Sequence, residues 1–124
     1  MTTAIVANLE KMLGGPRDGA LLRYSLGNEW LKAGNHVQAA DCFRAAIEYD
    51  ANYSAAWKLL GKALAENGEI EAALATFAQG INVAEARGDV QAAKEMSVLA
   101  RRLRKQLDES GSSAEGQSKE KPES

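Results

Sequence analysis

A chain of 124 residues suits one compact domain, and 45% hydrophobic with 26% charged residues is enough for a real core. A net charge of -2 argues against a general nucleic-acid binder, and a single cysteine, Cys42, excludes an internal disulfide. Abundant alanine and leucine, only 6% aromatics and just two prolines (Pro16 and Pro122) lean towards an all-helical fold.

The chain opens Met1-Thr2-Thr3-Ala4-Ile5-Val6, with no basic region and no long apolar run. Neither a signal peptide nor a membrane span is therefore expected, and a lone thiol suits a reducing compartment, the cytoplasm. Residues 3–13 read as a helix that Gly14-Gly15-Pro16 breaks. Moved forward by one 34-residue period, its Ile5, Leu9 and Met12 fall on Ala39, Phe43 and Ala46 of the segment that follows.

That segment, 20–53, and its successor, 54–87, repeat one another. Leu26-Gly27 recurs as Leu60-Gly61, Gly34 as Gly68, Ala39 as Ala73, Phe43 as Phe77 and Ala46 as Gly80, always 34 residues on. Leu22, Leu26 and Trp30 form one helical stripe, and so do Trp57, Leu60 and Leu64. Gly27 and Gly61 sit mid-helix, where glycine costs about 1 kcal/mol relative to alanine. A cost repeated at one position points to a repeated packing need. The absent side chain lets a second helix approach, with Ala39 and Ala73 as its small surface and Phe43 and Phe77 as its large knobs. Gly34 and Gly68 end the first helix of each pair in the left-handed conformation. Asn35, with Gln38, should cap the second helix of the first pair; Asp18 and Asn52 should cap the two first helices.

From about Asp89 to Asp108 a further helix carries the apolar stripe Ala92, Met96, Leu99, Leu103 and Leu107, as the closing element of a repeat stack requires. Beyond it, residues 109–124 turn to Gly, Ser, Glu and Lys without apolar periodicity and read as a disordered tail. The expected domain is thus 1–108: an N-terminal helix and turn (3–18), two repeats, and a capping helix (89–108), about five helices in all.

The 34-residue period resembles the tetratricopeptide repeat (TPR), a helix–turn–helix unit. Trp57, Leu60, Gly61, Ala73 and Phe77 occupy its signature places in the second copy. The first copy keeps Leu26, Gly27, Ala39, Phe43 and Ala46, with Trp30 for the usual tyrosine. It departs in having Arg23 where tryptophan is common. Both copies lack the proline near the end, where Ala51 and Glu85 stand. The resemblance implies an α-solenoid whose first-type helices line a concave, peptide-binding face. Its groove positions are Tyr24, Asn28, Leu31, Lys58, Lys62 and Met96, with Ala92 beside the last. The carboxylate-clamp positions of some family members hold Tyr24, Asn28, Leu59, Asp89 and Ala93, of which only Asn28 fits, so a clamp for a C-terminal carboxylate is not expected.

No residues are spaced for catalysis. His36, the one histidine, falls at a position usually apolar in the family and reads as structural; Cys42 reads as a small buried hydrophobe. No cofactor or metal ligand set appears, and Gly14-Gly15-Pro16 has no Walker lysine after it. Lys94, Arg101, Arg102, Arg104 and Lys105 give the last helix a basic character that its dipole favours, and that could also form a docking patch. The expected function is that of a non-enzymatic adaptor, co-chaperone-like, that binds another protein or peptide. The alternatives are a self-associating homodimer scaffold and a nucleic-acid accessory factor using the basic helix.

Overall fold

The computed structural model describes residues 4–120, with side chains as far as 110. It is all-helical: α1 (Ala4–Glu10), α2 (Ala20–Lys32), α3 (His36–Tyr49), α4 (Ser54–Glu66), α5 (Ile70–Ala86) and α6 (Val90–Glu120). These six among the described residues exceed the expected total of about five, because the half repeat, two full pairs and closing helix each form. α6 continues past Asp108, where the composition changes. Residue 3 of the expected first helix and 121–124 of the expected tail lie outside the described residues.

Left-handed glycines follow the ends of α2, α4 and α5. Gly34, Gly68 and Gly88 have φ of 82°, 84° and 78°. Behind each, a backbone N–H reaches five residues back: Asn35 to Trp30 O at 2.9 Å, Glu69 to Leu64 O at 2.9 Å and Asp89 to Ala84 O at 2.7 Å. This closure satisfies carbonyls that a helix end would otherwise leave open.

The N-terminal caps differ from expectation. α2 starts after Gly19, α3 after Asn35 and α4 after Tyr53, and none of the three makes a side-chain cap hydrogen bond. Asp18 is engaged elsewhere: it accepts Arg23 Nε at 2.8 Å, Arg23 Nη2 at 2.9 Å and the Gly14 N–H at 2.9 Å. Asn52 lies one residue too early, in a turn where its N–H donates to Asp50 Oδ1 at 3.0 Å and its carbonyl accepts Arg87. Gln38, exposed, gives Asn35 no return bond. Asp89 is the acid that does cap a helix, accepting the Ala92 N–H at 3.1 Å at the start of α6.

Arg23 in place of tryptophan also has a structural reason. In the second pair, Trp57 donates its indole N–H to Ala51 O at 2.8 Å, tying α4 to the preceding turn. Arg23, the equivalent residue of α2, ties back to Asp18 and lies 5.8 Å over the Tyr49 ring. Two different side chains thus fasten each first-type helix to the turn before it. Arg23's hydrogen bonds, then the Gly14 N–H, hold the Asp18 carboxyl well below the usual carboxylate range.

The main core runs from α3 to α6 around Phe43, Leu60, Leu64, Phe77 and Met96; a smaller one joins Val6 of α1 to Leu22 and Leu26, with Cys42 against it. Within each pair a phenylalanine ring rests on a glycine backbone. A Cβ built on Gly27 would lie 2.6 Å from Phe43 Cε1, and one on Gly61 would run into Phe77 in the same way. Both rings are essentially inaccessible, at 0% and 1% exposure. Gly61→Ala, which in an unobstructed helix would gain about 1 kcal/mol, is expected here to destabilise by about 1–3 kcal/mol through overpacking. Urea unfolding checks this: the midpoint should fall, and a rise would show that the ring has room to move.

Candidate functional site

α4 touches both α2 and α6, whereas α3 and α5 do not meet. The stack therefore curves with α2, α4 and α6 on the inside. α5 has 17 residues against 14 in α3, so α6 starts 36 residues after α4 rather than 34. In this register Met96 takes the place of buried Leu60, Ser97 that of Gly61 and Lys94 that of Lys58. A strict 34-residue spacing would instead have put Lys94 in the buried place of Leu60; Lys94 is exposed.

Two sets of basic residues named separately from the sequence thereby come together. Lys58 and Lys62 of α4 face Lys94 and Arg102 of α6 across a cleft of about 410 Å3, whose remaining lining includes Glu95, Val98 and Leu99. Lys58 Nζ meets Glu95 Oε1 at 2.6 Å, and Gln91 Nε2 donates to Glu95 Oε2 at 2.9 Å. These contacts, Lys58 foremost, hold the Glu95 carboxyl below its ordinary range. Lys62, Lys94 and Arg102 form no ion pair among the described residues. Four cations thus share one acid over an apolar strip. A second depression of about 200 Å3, bounded by Lys62, Glu66, Leu99 and Arg102, continues the cleft along the same two helices.

The other expected groove residues are placed differently. Tyr24 of α2 takes the Lys58 position and Asn28 the Lys62 position, so both belong to the inner row, and both are half-buried, as is Leu31. The Tyr24 ring centroid stands 4.9 Å from that of Tyr53 and 5.9 Å from that of Phe43, so its face is largely used in packing. Met96 is a correction: at 0% exposure it is a core residue, its sulfur against Gly80, and offers nothing to a ligand. Ala92 is likewise buried. The basic residues of α6 do not form one patch. Lys94 and Arg102 line the cleft, Arg101 lies with Lys94 on a separate depression at the end of the stack, and Arg104 and Lys105 are exposed farther along. Glu95 is the charged side chain of the cleft that sequence reasoning did not single out. Its only signal was the extra two residues of period, which become visible once α5 is seen to be long.

His36 is half-buried with Nε2 3.2 Å from Glu66 Oε1, joining the start of α3 to the end of α4. Cys42 is half-buried, and that burial pushes its thiol pKa up, away from a reactive thiolate. Among the described residues no cluster of three His, Cys, Asp or Glu side chains could hold a metal ion, and no helix is long and apolar enough to cross a membrane.

Antiparallel helix pairs, stacked by a glycine–phenylalanine contact and curved around a cleft, define an α-solenoid scaffold. The profile of the tetratricopeptide repeat matches residues 31–96. A protein of Pseudomonas aeruginosa described as TPR repeat-containing is 44% identical over 99 residues, covering 80% of this chain and 94% of its own. The solution structure of a protein from Bordetella parapertussis is similar at 38% identity and a TM-score of 0.75, over 85% of this chain and 91% of that one. A tetratricopeptide repeat domain protein from Salinibacter ruber follows at 31% identity and TM-score 0.64, over 71% and 88%. The chain belongs to the tetratricopeptide-repeat family, whose members serve broadly as protein–protein interaction modules.

The Lys58–Glu95 pair yields a direct check. A carboxyl whose folded pKa is depressed contributes stability above its unfolded pKa and loses it as pH falls through the folded value. Lys58→Met should therefore move the Glu95 carboxyl pKa upward, towards its ordinary range, in an NMR pH titration. An unmoved titration would mean that the pair does not form in solution.

Proposed function

We propose that the cleft between α4 and α6 binds an acidic segment of another polypeptide, and that the protein acts as an adaptor by holding that segment. The observation that carries this reading is the gathering of Lys58, Lys62, Lys94 and Arg102 around a single acid. Among the described residues three of the four cations pair with no carboxylate, so a ligand that brings anionic groups meets charges left open to it. Val98 and Leu99 supply the apolar strip on which such a segment would lay one or two aliphatic side chains. Tyr24, Asn28 and Leu31 extend the inner face along α2 and would take the far end of a longer segment. Glu95 competes for Lys58, so the site prefers ligands acidic enough to displace it or to use the other three cations. A reducing, cytoplasmic setting suits the single Cys42, whose burial holds its thiol pKa up.

A fluorescently labelled peptide rich in glutamate with interspersed leucines provides the probe, and its glutamine counterpart the control. Anisotropy should show binding of the first and little of the second. Lys62→Glu/Arg102→Glu should weaken binding by about tenfold or more, near 1.4 kcal/mol, with helical circular dichroism unchanged. Glu95→Gln should strengthen it. Equal binding of both peptides, or preference for single-stranded RNA over either, would contradict the reading.

A further inference from the structure

The two ends of the stack are complementary to each other. α3 and α5 each lie against the first-type helix that precedes them: Phe43 of α3 seats on Gly27 of α2, and Phe77 of α5 on Gly61 of α4. α1 occupies a second-type slot, and among the described residues only α2 packs on it. Its Ile5, at the place where Ala39 and Ala73 are wholly buried, is 54% exposed, and Leu9, at the phenylalanine place, is only half-buried. α6 has the opposite lack. It is a first-type helix in register, with half-buried Ser97 at the glycine seat, and no second-type helix after it covers that seat among the described residues. The vacant face is a depression of about 480 Å3 formed by Val90, Ala93, Lys94, Ser97, Val98 and Arg101, with Glu85 at its margin.

From this we infer that two copies of the chain associate end to end, α1 of one copy entering the vacant seat on α6 of the next as its missing second-type helix. Leu9 then takes on Ser97 the place that Phe43 and Phe77 take on their glycines. Ile5 covers apolar surface that is otherwise in water on both sides, since Val90 is 61% and Val98 37% exposed. Of the seven exposed large hydrophobics among the described residues, Ile5, Leu13, Val90 and Val98 lie on or beside these two terminal helices, so apolar exposure concentrates where the joint would form. Charge agrees: the only charged residue of α1 is Glu10, whereas the seat is bordered by Lys94 and Arg101 against one acid, Glu85. The contact is heterologous, head to tail, so each addition leaves a free end of either kind and growth does not stop at two. The joint shares Lys94 and Val98 with the rim of the inner cleft, and assembly would string several such clefts along one solenoid.

Sedimentation of purified protein over a rising concentration series tests this, using Ile5→Glu to block the α1 end and Val90→Glu to block the α6 end. Both sites are exposed, so both variants should retain the wild-type circular dichroism. Wild type is expected to pass beyond the dimer as concentration rises. Each variant alone should remain monomeric, and an equimolar mixture of the two should form a one-to-one dimer and stop there, because the open ends pair and the blocked ends cannot. A wild type monomeric at all concentrations would overturn the proposal, as would association that neither variant affects, or variants whose mixture stays monomeric.

Discussion

Phe43 and Phe77 pack so closely against the backbones of Gly27 and Gly61 that a Cβ at either glycine would run into the ring. A helix with a side chain there would hold its neighbour farther off, the ring would lose contact with it, and the alanines Ala39 and Ala73 would no longer reach full burial. The glycine costs local helix stability and gains close approach. Because the same contact occurs at the same place in both repeats, both pairs close alike. The stack then advances regularly enough for α2, α4 and α6 to share one inner face.

The basic cleft follows from this regularity and from one departure. α5 exceeds α3 by three residues, which shifts the onset of α6. Lys94 then stands in the row of Tyr24 and Lys58, and Glu95 comes within 2.6 Å of Lys58. Without the extra turn length, a lysine would face the core. Charge on the inner face is thus set by helix length as much as by residue choice. The same register places Ser97 at the next glycine seat and leaves it waiting at the end of the stack.

Much of the fold was legible because its signals are local and repeated. Leu26-Gly27 and Leu60-Gly61, the terminating Gly34 and Gly68, and the two phenylalanines each announce one packing event in one place. Capping was less legible. Asp18 has the composition of a cap, but Arg23 five residues later captures it, and proximity across a turn does not show in helical periodicity. Lys58 and Lys62 were readable as an inward pair from the family pattern. Met96 was misplaced because a stripe residue looks the same whether it faces a groove or the core. The opposing face, Lys94, Arg102 and Glu95, depended on a two-residue change of phase that only the packed structure reveals.

A family of interaction modules is defined by its scaffold; in this member four cations gather on the inner face. The most direct test of that account is an NMR titration of the isotope-labelled protein with the glutamate-rich, leucine-containing peptide, followed through backbone amide shifts. The account predicts that the perturbed amides cluster at Lys58, Lys62, Lys94, Glu95, Val98 and Arg102, with the outward surfaces of α3 and α5 silent. Perturbations centred on α3 and α5, with the cleft unaffected, would contradict it.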